Sequence, residues 1–395
     1  MRSRRLATSF FLMGLLLPTA SAQQVKPEHG ATPLSYETQK ALQEAVTQEL
    51  KGFGGKESVP GAVVGVWQPG KAPFVRAIGM ADLSPRRPMQ LDDKFRVGSN
   101  TKTFVVTVIL QLVDEGKMSL DDPLSKFDVG TTVPNAEHIT VREICQMQSG
   151  LFEVYNSKEL NAMNITPQTR FNPRQLVAIA AKYPPLFPPG KGWKYSNTNY
   201  ILLGFIIEAV THHTVAEEIR TRLIVPLHLE HTSFPMDDPA MPAPYAHGYA
   251  LNSNRDWEDS TVVLPPSLSW AAGAMISNMA DMKTWVKDYV SGSTNKPATQ
   301  RQRLHCVPTT TAGLNFGLGI GCTGGWFGYT GGINGYNTAA YYLPDKDATI
   351  IAFVTAQIEK PDPGVANAIV RDFTRILFSQ NIAYPSQNSG VTPKK

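Results

Sequence analysis

Phe95-Arg96-Val97-Gly98-Ser99-Asn100-Thr101-Lys102-Thr103-Phe104 sets a glycine before a serine and a lysine three positions beyond it. Apolar residues then recur at helical spacing through Phe104, Val105, Val108, Ile109, Leu112 and Val113. The pattern predicts a turn at Gly98 and Ser99 running into a helix, with Ser99 in its first turn. Residues three apart share a helix face, roughly 5–6 Å apart at Cβ, so a hydroxyl and an amine meet there as nucleophile and candidate base. The unpaired N–H groups and positive dipole end of a first turn favour an oxyanion and disfavour a charged Lys102. Acyl transfer suits such a pair. A capping serine beside a surface lysine would share the spacing. Ser293-Thr294-Asn295-Lys296 repeats it between Gly292 and Pro297, where a solvated connector is expected.

The chain opens Met1-Arg2-Ser3-Arg4-Arg5, continues through apolar Phe10, Leu12, Leu15 and Leu17, and reaches Ala20-Ser21-Ala22. A basic start, a short apolar middle and an Ala-x-Ala end make a secretory signal peptide of residues 1–22, so a secreted or periplasmic protein is expected. The apolar part is short for a bilayer span, and no later stretch approaches the length of one. Without residues 1–22 the chain keeps 34 basic against 33 acidic side chains, a net +1 instead of +4. Nothing in that balance suits nucleic acid. Of the three cysteines, Cys306 and Cys322 are the local choice for a disulfide in an oxidising compartment, and Cys145 falls in an apolar helical pattern as a core residue.

Residues 23–34 are polar with Pro27, Gly30 and Pro33, a flexible leader. Ser35 to Lys51 reads as a capped helix; 62–67 and 74–78 read as a hairpin turned by Pro69-Gly70-Lys71. Residues 118–290 alternate helices with proline-rich loops, including helices opened near Thr140, Asn199 and Ala280. Strands return at 316–321, 326–330, 336–343 and 349–355, before an amphipathic helix over 365–378 and a polar tail, 381–395, expected to be disordered. The expected fold is α+β: one antiparallel sheet built from both chain ends (35–98 and 300–380), flanked by helices, with a large helical lobe inserted at 99–299. A chain of 395 residues with 42% hydrophobic residues can bury the core this requires.

Two further stretches carry chemistry. Tyr195-Ser196-Asn197, the one Tyr-x-Asn in the chain, precedes a helix; its phenol can relay a proton if a nearby cation lowers its pKa, and its amide can orient a lysine and a substrate carbonyl. Gly328-Tyr329-Thr330-Gly331-Gly332 closes a strand whose glycines let a substrate backbone approach. An exposed N–H on that edge could join the N–H of Ser99 as a second oxyanion donor.

Ser-x-x-Lys, Tyr-x-Asn and a strand ending x-Thr-Gly, in this order, resemble the penicillin-recognising serine hydrolases. The chain is most similar to their exported D-alanyl-D-alanine carboxypeptidase and class C β-lactamase branch. The likeness extends through Gln111–Lys117, Ile139-Thr140-Val141-Arg142, Ser149-Gly150-Leu151, Ala272-Gly273-Ala274 and Phe316–Ile320, covering roughly residues 35–378. The resemblance implies a β-lactamase/transpeptidase-like fold with the site between its lobes. It makes Ser99 the acylated nucleophile, Lys102 its base and Tyr195 the proton donor to the leaving group. Asn197, Tyr329, Thr330 and Gly331 would contact substrate, and the N–H groups of Ser99 and Gly332 would hold the oxyanion. It implies no cofactor, and a monomer acting on D-Ala-D-Ala-type peptides such as a peptidoglycan stem peptide, on β-lactams or on small esters.

One position departs from that pattern: the family carries lysine or histidine where this chain has Tyr329, neutral at pH 7. The missing cation disfavours carboxylate-ended substrates and favours an esterase or an amidase with uncharged ones. A non-catalytic relative that binds cell-wall peptides or a partner is the alternative. Gly-x-Ser-x-Gly is absent, so an α/β-hydrolase triad has no starting point. His212-His213 and His228-Leu229-Glu230-His231 lack an evident third ligand for a metal. Trp270 and Phe152 are expected to be pocket walls or core.

Overall fold

The computed structural model describes residues 30–51, 56–130, 132–357 and 364–384; the expected signal peptide and residues 385–395 of the expected tail lie outside them. Nine strands form one antiparallel sheet: β1 (Gly61–Trp67), β2 (Phe74–Leu83), β3 (Arg86–Pro88), β4 (Val307–Pro308), β5 (Asn315–Phe316), β6 (Gly321–Thr323), β7 (Trp326–Ile333), β8 (Tyr336–Leu343) and β9 (Ala348–Val354). They run in the order β3-β2-β1-β9-β8-β7-β6-β5-β4. The first strand thus pairs with the last, from Ala62 opposite Val354 to Trp67 opposite Thr349. Both chain ends build one sheet around an inserted middle.

Strands β1, β8 and β9 are buried almost throughout because both faces of the sheet are covered. Val64, Ile350 and Ala352 face the terminal helices α1 (Tyr36–Lys51) and α6 (Val365–Leu377), which add Leu42, Val46, Ile369 and Phe373. Their neighbours Val63, Ile351 and Phe353 point the other way, into the core shared with the inserted lobe. Four helices of that lobe matter most here: α2 (Thr101–Asp114), α3 (Asn197–Thr211), α4 (Pro266–Gly273) and α5 (Met279–Ser291).

Helix α2 runs through the middle, with every residue from Thr101 to Leu110 buried. Phe104 stacks on Trp285 of α5 with ring centroids 3.9 Å apart, and the Trp285 indole donates to Thr103 Oγ1 at 2.7 Å. Arg303, fully buried, donates to Thr103 O (3.1 Å) and Thr107 Oγ1 (2.9 Å), tying the helix to the returning chain. The sequence-expected caps form: Ser35 Oγ accepts from Thr38 N, and Thr140 and Glu143 make a reciprocal capping box. Cys306 and Cys322 are joined, and Cys145 is a buried free thiol.

Four expectations are corrected. Ser99 does not sit in the α-helix itself; Gly98–Asn100 form a 3₁₀ turn and α2 starts at Thr101. The strand expected over 316–321 breaks, because Gly317 N bonds to Ile320 O and Gly319 turns back at φ +64° against Val106. Residues 30–34, read as flexible leader, include Thr32, which exchanges backbone bonds with Gly70 and Ala72 at 2.9 Å. The first residues of the expected disordered tail are packed: the Trp326 indole donates to Asn381 O, and Ala383 is buried.

A Cβ on Gly331 would lie 2.0 Å from Val97 O, whereas one on Gly332 would meet nothing nearer than 3.6 Å. Gly331→Ala is therefore expected to cost about 1–3 kcal/mol of stability by overpacking, and Gly332→Ala to stay within about 0.5 kcal/mol, as urea unfolding will show.

Candidate active site

The turn carrying Ser99 is pressed onto β7. Gly98 adopts φ +51°, and a Cβ there would stand 3.0 Å from Gly332 O, so glycine serves both the left-handed backbone and the close approach. Val97 N bonds to Met275 O at 3.0 Å, and Val97 O accepts from Thr338 Oγ1 of β8 at 3.0 Å. Thr101 Oγ1 accepts from Met275 N at 3.0 Å. The nucleophile's backbone is held from both lobes.

Lys102, one helical turn on, is completely buried. Its Nζ lies 3.0 Å from Ser99 Oγ, 2.8 Å from Asn197 Oδ1 and 2.5 Å from Ala272 O. Burial lowers its pKa to about 7, with the Glu153 carboxylate opposing that shift. In the neutral amine two protons satisfy Asn197 and Ala272, which aims the lone pair at Ser99. Ser99 Oγ is also 2.7 Å from the Tyr195 hydroxyl. The sequence made a proton relay through Tyr195 conditional on a nearby cation lowering its pKa; burial pushes it up instead, ahead of any other influence, so the phenol keeps its proton at neutral pH. One group is poised to take a proton from Ser99, the other to give one.

Tyr195 and Asn197 reach Lys102 because the loop ending at Ser196 and the first turn of α3 are laced to residues 147–155. Lys194 N bonds to Met147 O at 3.0 Å, Thr198 Oγ1 to Phe152 O at 2.7 Å, and Ser149 Oγ to Asn199 Oδ1 at 2.6 Å. Glu153, which sequence reasoning missed, accepts from Asn197 N (2.6 Å) and Asn197 Nδ2 (3.0 Å). The Ala272 carbonyl was missed too, since a main-chain acceptor has no side-chain signature. It follows a break in α4 at Trp270, whose φ of 37° places a buried aromatic residue in a left-handed backbone. Phe152 does not line the cavity beside Ser99; it is half-buried and stacks on Tyr183 with ring centroids 4.0 Å apart.

A cavity of about 350 Å³ opens onto these groups, lined by Ser99, Tyr155, Tyr195, Asn197, Tyr329 and Gly332 among others. Thr330 also lines it, although its hydroxyl already accepts from Asn367 Nδ2 (3.0 Å) and donates to Thr338 O (3.1 Å). Gly331 is corrected: it is buried against Val97 and does not line the cavity. Gly332 is exposed beside Ser99, and both residues line the cavity. Tyr329 is 3% exposed, its ring edge-on to Phe316 at 5.7 Å. Among the described residues its hydroxyl has no partner at hydrogen-bonding geometry, though it lies near the Tyr195 and Tyr200 phenols and burial holds its pKa well above the usual value. Among the described residues no cluster could hold a metal; His213 pairs with Glu218 at 2.7 Å.

A family model described as Beta-lactamase matches residues 42–374. The chain belongs to the beta-lactamase family. Within it, the crystal structure of a D-stereospecific amidohydrolase from Streptomyces sp. is 30% identical, with a TM-score of 0.74 over 87% of this chain and 98% of that one. The D-amino acid amidase of Ochrobactrum anthropi SV3, crystallised with L-phenylalanine amide, shares the fold at a TM-score of 0.75 and 22% identity, covering 86% of this chain and 97% of that one. Among curated relatives, the D-aminopeptidase of Brucella anthropi is 27% identical over 74% of this chain and 55% of its own length. Protein flp of Staphylococcus aureus is 27% identical over 65% and 50%. The chain thus spans about half the length of these curated relatives.

A base role for the free amine of Lys102 predicts that acylation of Ser99 rises with pH along a limb centred near 7 and falls tenfold per unit below it. Stopped-flow acylation by an activated ester reads this directly. Lys102→Met is expected to remove the limb and slow the reaction by about 10²–10⁴-fold.

Proposed function

We propose that this chain is a serine hydrolase that cleaves amide bonds beside D-configured residues through an acyl-enzyme on Ser99. The observation that carries the reading is the set of contacts at Ser99 Oγ: an amine of lowered pKa at 3.0 Å and a protonated phenol at 2.7 Å, opening on one cavity. Lys102 takes the Ser99 proton as Oγ bonds to the substrate carbonyl carbon. The N–H groups of Ser99 and Gly332 receive the developing oxyanion. Tyr195 protonates the leaving nitrogen as the C–N bond breaks, and the proton held by Lys102 restores the phenol. Water then attacks the ester by the same route, returning Ser99 and releasing the acid.

Tyr329 argues for the substrate class. A buried neutral phenol stands where a cation would meet a substrate carboxylate, so amides and uncharged ends fit better than D-Ala-D-Ala acids or β-lactams. The D-stereospecific amidohydrolase and the D-aminopeptidase, named for such chemistry, support the choice of D-amino acid amides and short D-peptide amides. Action outside the cytoplasm belongs to the same proposal, on the evidence of residues 1–22.

Purified protein is expected to hydrolyse D-phenylalanine amide at least about 10-fold faster, in kcat/KM, than the L-amide or a D-Ala-D-Ala acid, a difference of about 1.4 kcal/mol. Intact mass with a fluorophosphonate should show one adduct that Ser99→Ala abolishes. No adduct and no turnover of any amide or ester would sink the hydrolase reading and leave a binding protein.

A further inference from the structure

Asn197 is the hinge of the lysine's orientation, and something must decide which end of its amide faces the amine. A carboxylate can only accept hydrogen bonds. Glu153 Oε2 accepts from both Asn197 N at 2.6 Å and Asn197 Nδ2 at 3.0 Å, which leaves Oδ1 no direction but towards Lys102 Nζ, 2.8 Å away. The other oxygen, Oε1, accepts from Tyr155 N at 3.0 Å and caps the 3₁₀ turn Val154–Asn156. Every contact therefore fixes the carboxylate itself, on a segment joined to Thr198 through Val154 N at 3.2 Å.

We propose that Glu153 is a positioning residue for the acyl-transfer chemistry: its carboxylate locks the Asn197 amide so that the Lys102 amine presents its lone pair to Ser99, and its charge biases the protonation of that amine. The inference rests on the acyl-enzyme reading given above. Without the lock, an Asn197 flipped about its amide would point Nδ2 hydrogens at the amine, and the lone pair would turn to meet them instead of the Ser99 hydroxyl. Around Lys102 the facing groups are Ser99 and Asn197, the rings of Tyr195 (5.1 Å from Nζ) and Tyr200 (5.3 Å), the Ala272 carbonyl and, behind Asn197, Glu153. Tyr329 of β7 and Arg303 act on Tyr195 and Tyr200 one layer further out. Glu153 is the one carboxylate in this set, so its charge is what favours the ammonium against burial.

Two variants of the full chain separate geometry from charge, with the pH dependence of fluorophosphonate labelling at Ser99 as the readout. Glu153→Gln is expected to move the midpoint of the labelling limb down by at least about half a unit, because loss of the negative charge eases deprotonation of Lys102. Glu153→Asp keeps the charge but falls one methylene short of Asn197. It is expected to hold the midpoint near that of the wild type while lowering the plateau rate about 10-fold, the order of loss from a mispositioned group. A midpoint unmoved in Glu153→Gln, or a plateau unchanged in Glu153→Asp, would overturn the proposal. A wild type that does not label at all overturns the acyl-enzyme reading with it, whereas a labelled wild type whose variants match it removes only the role of Glu153.

Discussion

A primary amine sealed from water, facing three oxygens and no counter-ion in contact, is the constraint around which this site is built. Lys102 has a serine hydroxyl, an amide oxygen and a main-chain carbonyl as partners, each on a different segment of the chain. Burial of an ammonium is expensive, and the protein lets the amine shed its proton near neutrality instead of supplying an adjacent carboxylate. Had Glu153 been placed directly against Nζ, the ammonium would have been favoured and the base lost. Set one residue back, behind Asn197, it orients the amine while only partly offsetting the effect of burial.

Holding three segments on one nitrogen demands close packing elsewhere. Helix α2 supplies the lysine from a fully buried position, clamped by Trp285 and Arg303. Strand β7 reaches the Ser99 turn only because Gly98 and Gly331 carry no Cβ where backbone meets backbone. The sheet beneath is closed by the pairing of its first and last strands, so the lobe carrying Tyr195, Asn197 and Ala272 is an insertion into a frame made by the chain's ends. Catalytic geometry here is a property of the interface between the two parts.

Local chemistry was legible in the sequence; the partners of that chemistry were not. Ser99 and Lys102 could be read because helical spacing is a short-range rule, and strands at both ends announced the single sheet. Tyr195 and Asn197 gained meaning from their order relative to Ser99 and Lys102. Glu153 is a lone acidic residue 44 positions from the amide it holds, and no local period marks it. The direction of the Tyr195 shift depends on how deeply the ring is buried, which a sequence does not state. The break at Gly317–Ile320 was hidden because Phe316, Leu318 and Ile320 alternate as a strand would, while Gly319 turns the chain.

The protonation state of Lys102 is the quantity on which acyl transfer here stands, and it can be observed without any substrate. A ¹³C titration of the lysine ε-carbons, with the Lys102 signal assigned by its loss in Lys102→Met, reports it directly. A midpoint near 7 is expected, from an amine held neutral by burial. A midpoint at the ordinary lysine value of 10.5 would contradict it, because the group beside Ser99 would then be a permanent ammonium with no lone pair to receive a proton.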